Sequence, residues 1–302
     1  MGSFYSTAND LWSAPVDMQD TITHANSSRR ISGEYDLHYH DAGNGAPILF
    51  LHGSGPGVSA WSNFSGNIPV FARTFRTLCP DMPGFGASPA VVWEDAYSRV
   101  AADAVRWFLD ELQIPAIDII GNSMGGNVAT EFALAHPERV RRLVLMGPGG
   151  LAVNTFSPAV SEGARRLFEF LADPTRPRMA AWVDTMVSDP ALITDELLDE
   201  RMTNALRPGA IENTAAIFAT FNDPDLNTLP PLWARAKDLH TSTLIVWGRD
   251  DRMLPFEGGL FPFRQLPNAE LHVFSRCGHW AQIERKEAFE RLVIEFLSRP
   301  VE

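Results

Sequence analysis

The chain predicts an α/β fold: a mostly parallel central sheet with flanking helices and an inserted helical cap. Short apolar runs alternate with helix-like stretches in two blocks. Strand signals vanish between the blocks, and one run ends in Gly121-Asn122-Ser123-Met124-Gly125, a strand turning sharply into a helix. The expected division is 1–150 for the first part of the core, 151–231 for the helical cap and 232–302 for the second part of the core.

In the first block, strands are expected at Tyr35–His40, Ile48–Leu51, Phe75–Cys79, Ile117–Ile120 and Arg142–Met146. Between them, Tyr97–Leu112 carries Val100, Ala101, Ala104, Val105, Phe108 and Leu112 at helical spacing, and a second helix opens at the serine and runs through Ala135. In the cap, Ser157-Pro158, Thr194 and Gly209 mark helix starts through proline or capping residues. Strands return at Thr243–Trp247 and Ala269–Phe274, and a helix over Lys286–Leu297 closes the fold with Phe289, Leu292, Val293 and Phe296 on one face.

The glycines around Ser123 belong to a nucleophile turn, where the serine backbone is strained and a neighbouring side chain would collide with the next helix. After Pro47–Leu51, the loop His52-Gly53-Ser54-Gly55-Pro56-Gly57 offers backbone N–H groups for a developing oxyanion, completed by the N–H of Met124. Downstream, Gly248-Arg249-Asp250-Asp251 and Cys277-Gly278-His279-Trp280 each follow an expected strand. The order is serine, acid, histidine, as in the α/β-hydrolase arrangement, with Asp250 and Asp251 both open as the acid. His52 is expected to brace its loop, Asp81 to sit in a turn, His38, His40 and His272 to be structural or exposed, and Trp233 to be packing at the cap-to-core junction, with contact to the substrate's acyl portion as the alternative.

A net charge of −12 with no basic run argues against nucleic acid and anionic membrane as partners. Two cysteines, Cys79 and Cys277, are expected to be reduced. No apolar stretch approaches the roughly 20 residues that span a bilayer, and no leader pattern opens the chain, so a cytoplasmic protein is expected. The polar amino-terminal thirty residues read as an arm packing on the core or on a partner subunit.

In the helix expected at Thr194, Leu197, Leu198, Met202 and Ala205 mark an apolar face that also holds Arg201. A desolvated guanidinium requires an anion. Periodicity alone favours a core Asp or Glu, or a snorkelling side chain, over a carboxylate substrate.

Gly121–Gly126, His52–Gly57, Trp61-Ser62-Asn63-Phe64, Met146–Gly150 and Cys277–Trp280 together resemble the meta-cleavage product hydrolases, from about residue 30 to the end. These α/β-hydrolases cut a carbon–carbon bond in 2-hydroxy-6-oxo-hexa-2,4-dienoate type products of aromatic or steroid catabolism. Most esterases have histidine where Asn122 stands. The resemblance implies Ser123 as nucleophile, His279 as base and Asp251, 28 residues before it, as orienting acid. It implies oxyanion donors at Ser54 and Met124, Arg201 on the substrate's carboxylate in place of the structural pairing, and substrate contacts at Asn122, Asn63 and Trp280. It further implies a small-molecule carboxylate substrate, no metal or organic cofactor, and a homo-oligomer, dimer or higher. Leu151–Ala164 and the region of Cys277 resemble relatives acting on bulky aryl or steroid-derived acyl groups. The rivals are a carboxylesterase on the same fold and a ligand receptor that has lost turnover.

Overall fold

The computed structural model describes residues 21–151, 160–221 and 223–300. Its sheet has eight strands: β1 (Ser28–Ser32), β2 (Asp36–Ala42), β3 (Ala46–Leu51), β4 (Phe75–Pro80), β5 (Ile117–Asn122), β6 (Val140–Met146), β7 (Ser242–Gly248) and β8 (Ala269–Phe274). The order is β1-β2-β4-β3-β5-β6-β7-β8, antiparallel at β1–β2 and β2–β4 and parallel from β4 to β8.

The α-helices in chain order are α1 (His24–Ser27), α2 (Ala60–Phe64), α3 (Ile68–Phe71), α4 (Tyr97–Glu111), α5 (Met124–Ala135), α6 (Glu162–Ala172), α7 (Arg176–Val183), α8 (Asp195–Ala205), α9 (Ala210–Thr220), α10 (Leu232–Arg235), α11 (Leu260–Gln265), α12 (Ala281–Glu284) and α13 (Lys286–Leu297). None of these is long and apolar enough to cross a membrane.

The parallel strands read as continuous apolar runs because helices cover both faces. Successive residues of β3 serve opposite cores. Leu49 and Leu51 pack with Val105 and Phe108 of α4 and Val128 and Phe132 of α5. Ile48 and Phe50 pack with Phe64, Phe71, Phe289 and Phe296 on the other face. A third core lies between β6 and β7 in sequence, where the described residues contain no strand. There Leu167, Phe170, Met179, Trp182 and Leu198 pack together with Trp280, which comes from the loop after β8.

All seven expected strands form. The eighth, β1, carries Arg29 and Arg30 with no apolar alternation and exists through its antiparallel pairing with β2 at the sheet edge. Thus residues 24–32, expected in an amino-terminal arm, form α1 and β1, and the first twenty lie outside the described residues. Thr194 caps α8 through Leu197 N, and Gly209 precedes α9 at φ 80°. The helix start expected at Ser157-Pro158 also lies outside the described residues, and α6 begins after Ser161, whose hydroxyl accepts from Ala164 N. An unforeseen helix, α7, starts with Pro177 in its first turn. Both cysteines are free and buried.

At the turn from β5 to α5, glycine is a packing requirement. A Cβ on Gly125 would stand 2.1 Å from Leu51 O, and one on Gly121 would stand 2.5 Å from Gly125 O. Both obstacles are backbone and cannot rotate away. Gly125→Ala should therefore lower unfolding stability by about 1–3 kcal/mol or more. Gly66→Ala, whose new methyl meets only Lys286 Cε at 3.6 Å, should stay within about 0.5 kcal/mol of the parent. Denaturant unfolding of the two variants checks this, and equal losses would contradict it.

Candidate active site

Ser123 adopts φ 53° and ψ −113° between β5 and α5. Positive φ in a residue other than glycine is strained by about 1–3 kcal/mol and persists only where the surroundings fix it. Here Ser123 N donates to Met146 O at 2.8 Å, while Ser123 O accepts from Gly126 N, Asn127 N and Gly149 N at 3.0, 3.2 and 2.8 Å. These contacts leave the side chain facing a cavity.

Asp251 leaves the end of β7, and two backbone N–H groups of its own loop hold its carboxylate. Oδ1 accepts from Met253 N at 2.8 Å and Leu254 N at 2.9 Å, and Oδ2 accepts from His279 Nδ1 at 2.7 Å. Asp251 and His279 are both buried, so the carboxylate fixes the ring's tautomer and leaves Nε2 for the cavity. Asp250 turns away to Ser188 Oγ and Arg249. The ambiguity left by the sequence is thereby resolved: Asp251 is the acid bonded to His279. His279 N donates to Met186 O at 2.8 Å, which ties the loop to the helical segment.

The loop after β3 is braced from two sides. His52 Nδ1 donates to Gly53 O at 2.7 Å, and its Nε2 accepts from Met82 N at 3.0 Å, so both nitrogens are committed to structure. Burial pushes the His52 pKa down. Gly53 N donates to Asn63 Oδ1 at 3.0 Å, which gives Asn63 a positioning part beside its place on the cavity wall. Among the described residues, Ser54 N and Met124 N donate to no protein acceptor; Met124 N opens α5, where helix geometry provides no partner. Asp81 does more than occupy a turn: its buried carboxylate accepts from Ala60 N, Ala87 N and His38 Nδ1.

Arg201 of α8 is 6% exposed and stacks over Trp280 at 4.5 Å and Trp182 at 5.9 Å. Among the described residues no carboxylate pairs with it, and its buried Nε has no partner. The core Asp or Glu favoured by periodicity is not found bonded to it among the described residues. Burial lowers its pKa to about 10.

Two chambers meet at Ser123. The smaller, about 20 Å³, is lined by Gly53, Asn63, Asn122, Arg201, His279 and Trp280. The larger, about 620 Å³, is lined by Met124, Phe218, Phe221, Leu232 and Trp233. Ser54, Ser123 and Met253 border both. The nine candidate residues named from the sequence therefore line these two joined spaces, apart from Asp251, which acts from behind His279. Trp182, Met186 and Met253 were not singled out, and no local motif marks them. The serine, a tautomer-fixed histidine and two free N–H groups can perform nucleophilic acyl chemistry, and the guanidinium can hold an anion beside it.

The family model for the alpha/beta hydrolase fold matches residues 46–286. The chain is 41% identical to the 2-hydroxy-6-oxo-6-phenylhexa-2,4-dienoate hydrolase of Burkholderia cepacia, over 87% of this chain and 92% of that protein. It is 41% identical to the 2-hydroxy-6-oxononadienedioate/2-hydroxy-6-oxononatrienedioate hydrolase of Paraburkholderia xenovorans (strain LB400), over 92% and 97%. Among solved structures, the 2-hydroxy-6-oxo-6-phenylhexa-2,4-dienoate hydrolase from Rhodococcus sp. strain RHA1 superposes with TM-score 0.82 at 30% identity, covering 90% of this chain and 98% of that one.

An unpaired buried guanidinium costs folding free energy. Its pKa is about 10 in the folded chain, below the ordinary guanidinium value that holds in the unfolded chain. The unfolded state therefore binds more protons between these values, and stability from this group is full above the unfolded value and lost as pH falls through about 10. At pH 7, Arg201→Met should raise stability by about 1 kcal/mol or more, net of the lost stacking on tryptophan. Thermal unfolding of parent and variant tests this, and a lower Tm in the variant would contradict it.

Proposed function

This chain belongs to the α/β-hydrolase family, in its meta-cleavage product hydrolase branch, and on that footing we propose that it hydrolyses a carbon–carbon bond in a 2-hydroxy-6-oxo-hexa-2,4-dienoate type substrate. The observation that carries this reading is Arg201, a buried guanidinium without a carboxylate partner in the chamber that also holds Ser123 and His279. In the larger chamber, Arg99 and Arg235 are already met by Asp95 and Glu131. A substrate carboxylate thus completes an ion pair at Arg201, which a neutral ester could not do.

The dienoate head occupies the smaller chamber. Its present volume of about 20 Å³ admits about one water, so the chamber widens as the substrate binds. Arg201 and Asn122 stabilise negative charge on the carboxylate and 2-oxygen while the 2-hydroxyl proton moves to carbon 5, with His279 as carrier. Ketonisation gives carbon 5 a leaving-group character that the conjugated dienol lacks. Ser123 Oγ then attacks the 6-carbonyl, its proton passing to His279 Nε2, and the oxyanion rests on the N–H groups of Ser54 and Met124. The bond between carbons 5 and 6 breaks, the dienolate takes the proton back from His279, and water hydrolyses the acyl-enzyme. Asp251 holds the ring, and Asn63 and Trp280 contact the substrate head. No cofactor enters this sequence.

The names of the two bacterial relatives share the 2-hydroxy-6-oxo-dienoate head and differ at the other end. The chamber of about 620 Å³, with Phe218, Phe221, Leu232 and Trp233 in its wall, supports a bulky acyl portion there. On this reading α6 to α9, between β6 and β7, are the cap of the division into 1–150, 151–231 and 232–302. The segment on which the resemblance to bulky-substrate relatives rested lies mostly outside the described residues. The homo-oligomer rests on the family likeness, and the cytoplasmic location on the sequence reading alone.

Arg201→Ala should reduce kcat/KM on a chromophoric dienoate by about 2–5 kcal/mol in transition-state free energy and should leave hydrolysis of a neutral p-nitrophenyl ester within a few-fold of the parent. Equal losses on both substrates would make Arg201 a structural cap residue and favour a carboxylesterase.

A further inference from the structure

His38 and His40 lie two residues apart on β2, so their side chains leave the strand on the same face. The α1 turn lays His24 against them. Nitrogens of the three rings lie within 4.8 Å of one another. Ring centroids are 4.8 Å apart for His24 and His40, 4.9 Å for His38 and His40 and 5.9 Å for His24 and His38.

Hydrogen bonds orient two of these rings. Ser27 Oγ gives its one proton to Thr23 O at 2.7 Å, so it accepts from His40 Nδ1 at 2.9 Å. The proton is thereby placed on Nδ1, while His40 Nε2 is buried with no partner among the described residues, on a residue 1% exposed. His38 Nδ1 donates to the Asp81 carboxylate at 2.8 Å, and Ser28 Oγ stands 2.7 Å from its Nε2. In the neutral ring that nitrogen accepts from a hydroxyl that can rotate away. His38 and His40 thus each direct Nδ1–H to an oxygen, the outer-shell arrangement that orients metal-ligating histidines; His40 keeps a bare Nε2, and His38 frees its own when the Ser28 side chain turns away. A cluster serving only as packing leaves the bare His40 nitrogen unexplained, because buried polar atoms are normally paired. His24 is exposed and, with His38, Trp61 and Asp81, lines a cleft of about 790 Å³ that gives access from solvent.

We propose that His24, His38 and His40 bind one divalent transition-metal ion, zinc foremost, which fastens α1 and β1 to the sheet edge. An all-imidazole set suits zinc, copper or nickel and disfavours calcium and magnesium. With zinc–nitrogen bonds of about 2.0–2.1 Å, tetrahedral ligand atoms stand roughly 3.4 Å apart, so the three rings must close by a little over an ångström, and the exposed His24 supplies most of that movement. The site is separate from the two chambers at Ser123.

The test is zinc chloride titrated into the chelator-treated full chain, followed by competition with a chromophoric chelator and by thermal unfolding. The parent should bind one equivalent and gain Tm. His24→Ala should weaken zinc at least ~10-fold and abolish the Tm gain with zinc-free turnover unchanged, and Ser27→Ala, which releases the His40 ring, should weaken it about 10-fold. Absence of stoichiometric binding by the parent, or binding that both variants leave unchanged, would overturn the proposal; the latter result would place the ion elsewhere, for example on His279.

Discussion

The backbone of Ser123 is the constraint on which the site depends. Its positive φ is held by one bond from its N–H to β6 and three to its carbonyl, from α5 and from the Gly149 loop. Those bonds exist only if α5 starts hard against β3, and that approach leaves no room for a Cβ at Gly121 or Gly125. The same packing puts Met124 N at the start of α5 and brings the Ser54 loop beside it. One local strain thus aims the hydroxyl, exposes an N–H group and brings together the β3 and β5 loops.

Arg201 is the opposite kind of feature, a cost that local packing does not offset. The tryptophan faces at 4.5 and 5.9 Å give partial compensation, yet its Nε has no acceptor, and burial pulls its pKa down. Sites that must bind a charged ligand commonly carry such instability. A carboxylate arriving at Arg201 meets a guanidinium already stripped of water, so the reorganisation expected in solution has been made during folding. The paired Arg99 and Arg235 in the neighbouring chamber have no such charge to offer.

The parallel strands were legible because burial on both faces writes them as unbroken apolar runs, and their loops carried the serine, acid and histidine in readable order. The choice between Asp250 and Asp251 was not readable from residue type, because it depends on which carboxylate the N–H groups of Met253 and Leu254 capture. Periodicity placed Arg201 on a buried face but could not reveal that, among the described residues, no carboxylate bonds to it, since its neighbours Trp182 and Trp280 come from distant segments. The α7 helix that supplies Trp182 announces itself only through Pro177. Likewise β1 is formed by edge pairing with β2 and not by an apolar pattern of its own, and without α1 nothing in the sequence brings His24 to His38 and His40.

The central claim is the orientation of the substrate across the two chambers, with its charged head at Arg201 and its acyl end beyond Ser123. A crystal structure of Ser123→Ala with an intact dienoate bound tests it most directly. The carboxylate should lie on the Arg201 guanidinium, the 6-carbonyl oxygen at Ser54 N and Met124 N, and the acyl group against Phe218, Phe221 and Trp233. A dienoate bound the other way, with its carboxylate in the larger chamber near Arg99 and Arg235 and its acyl group against Trp182 and Trp280, would contradict it.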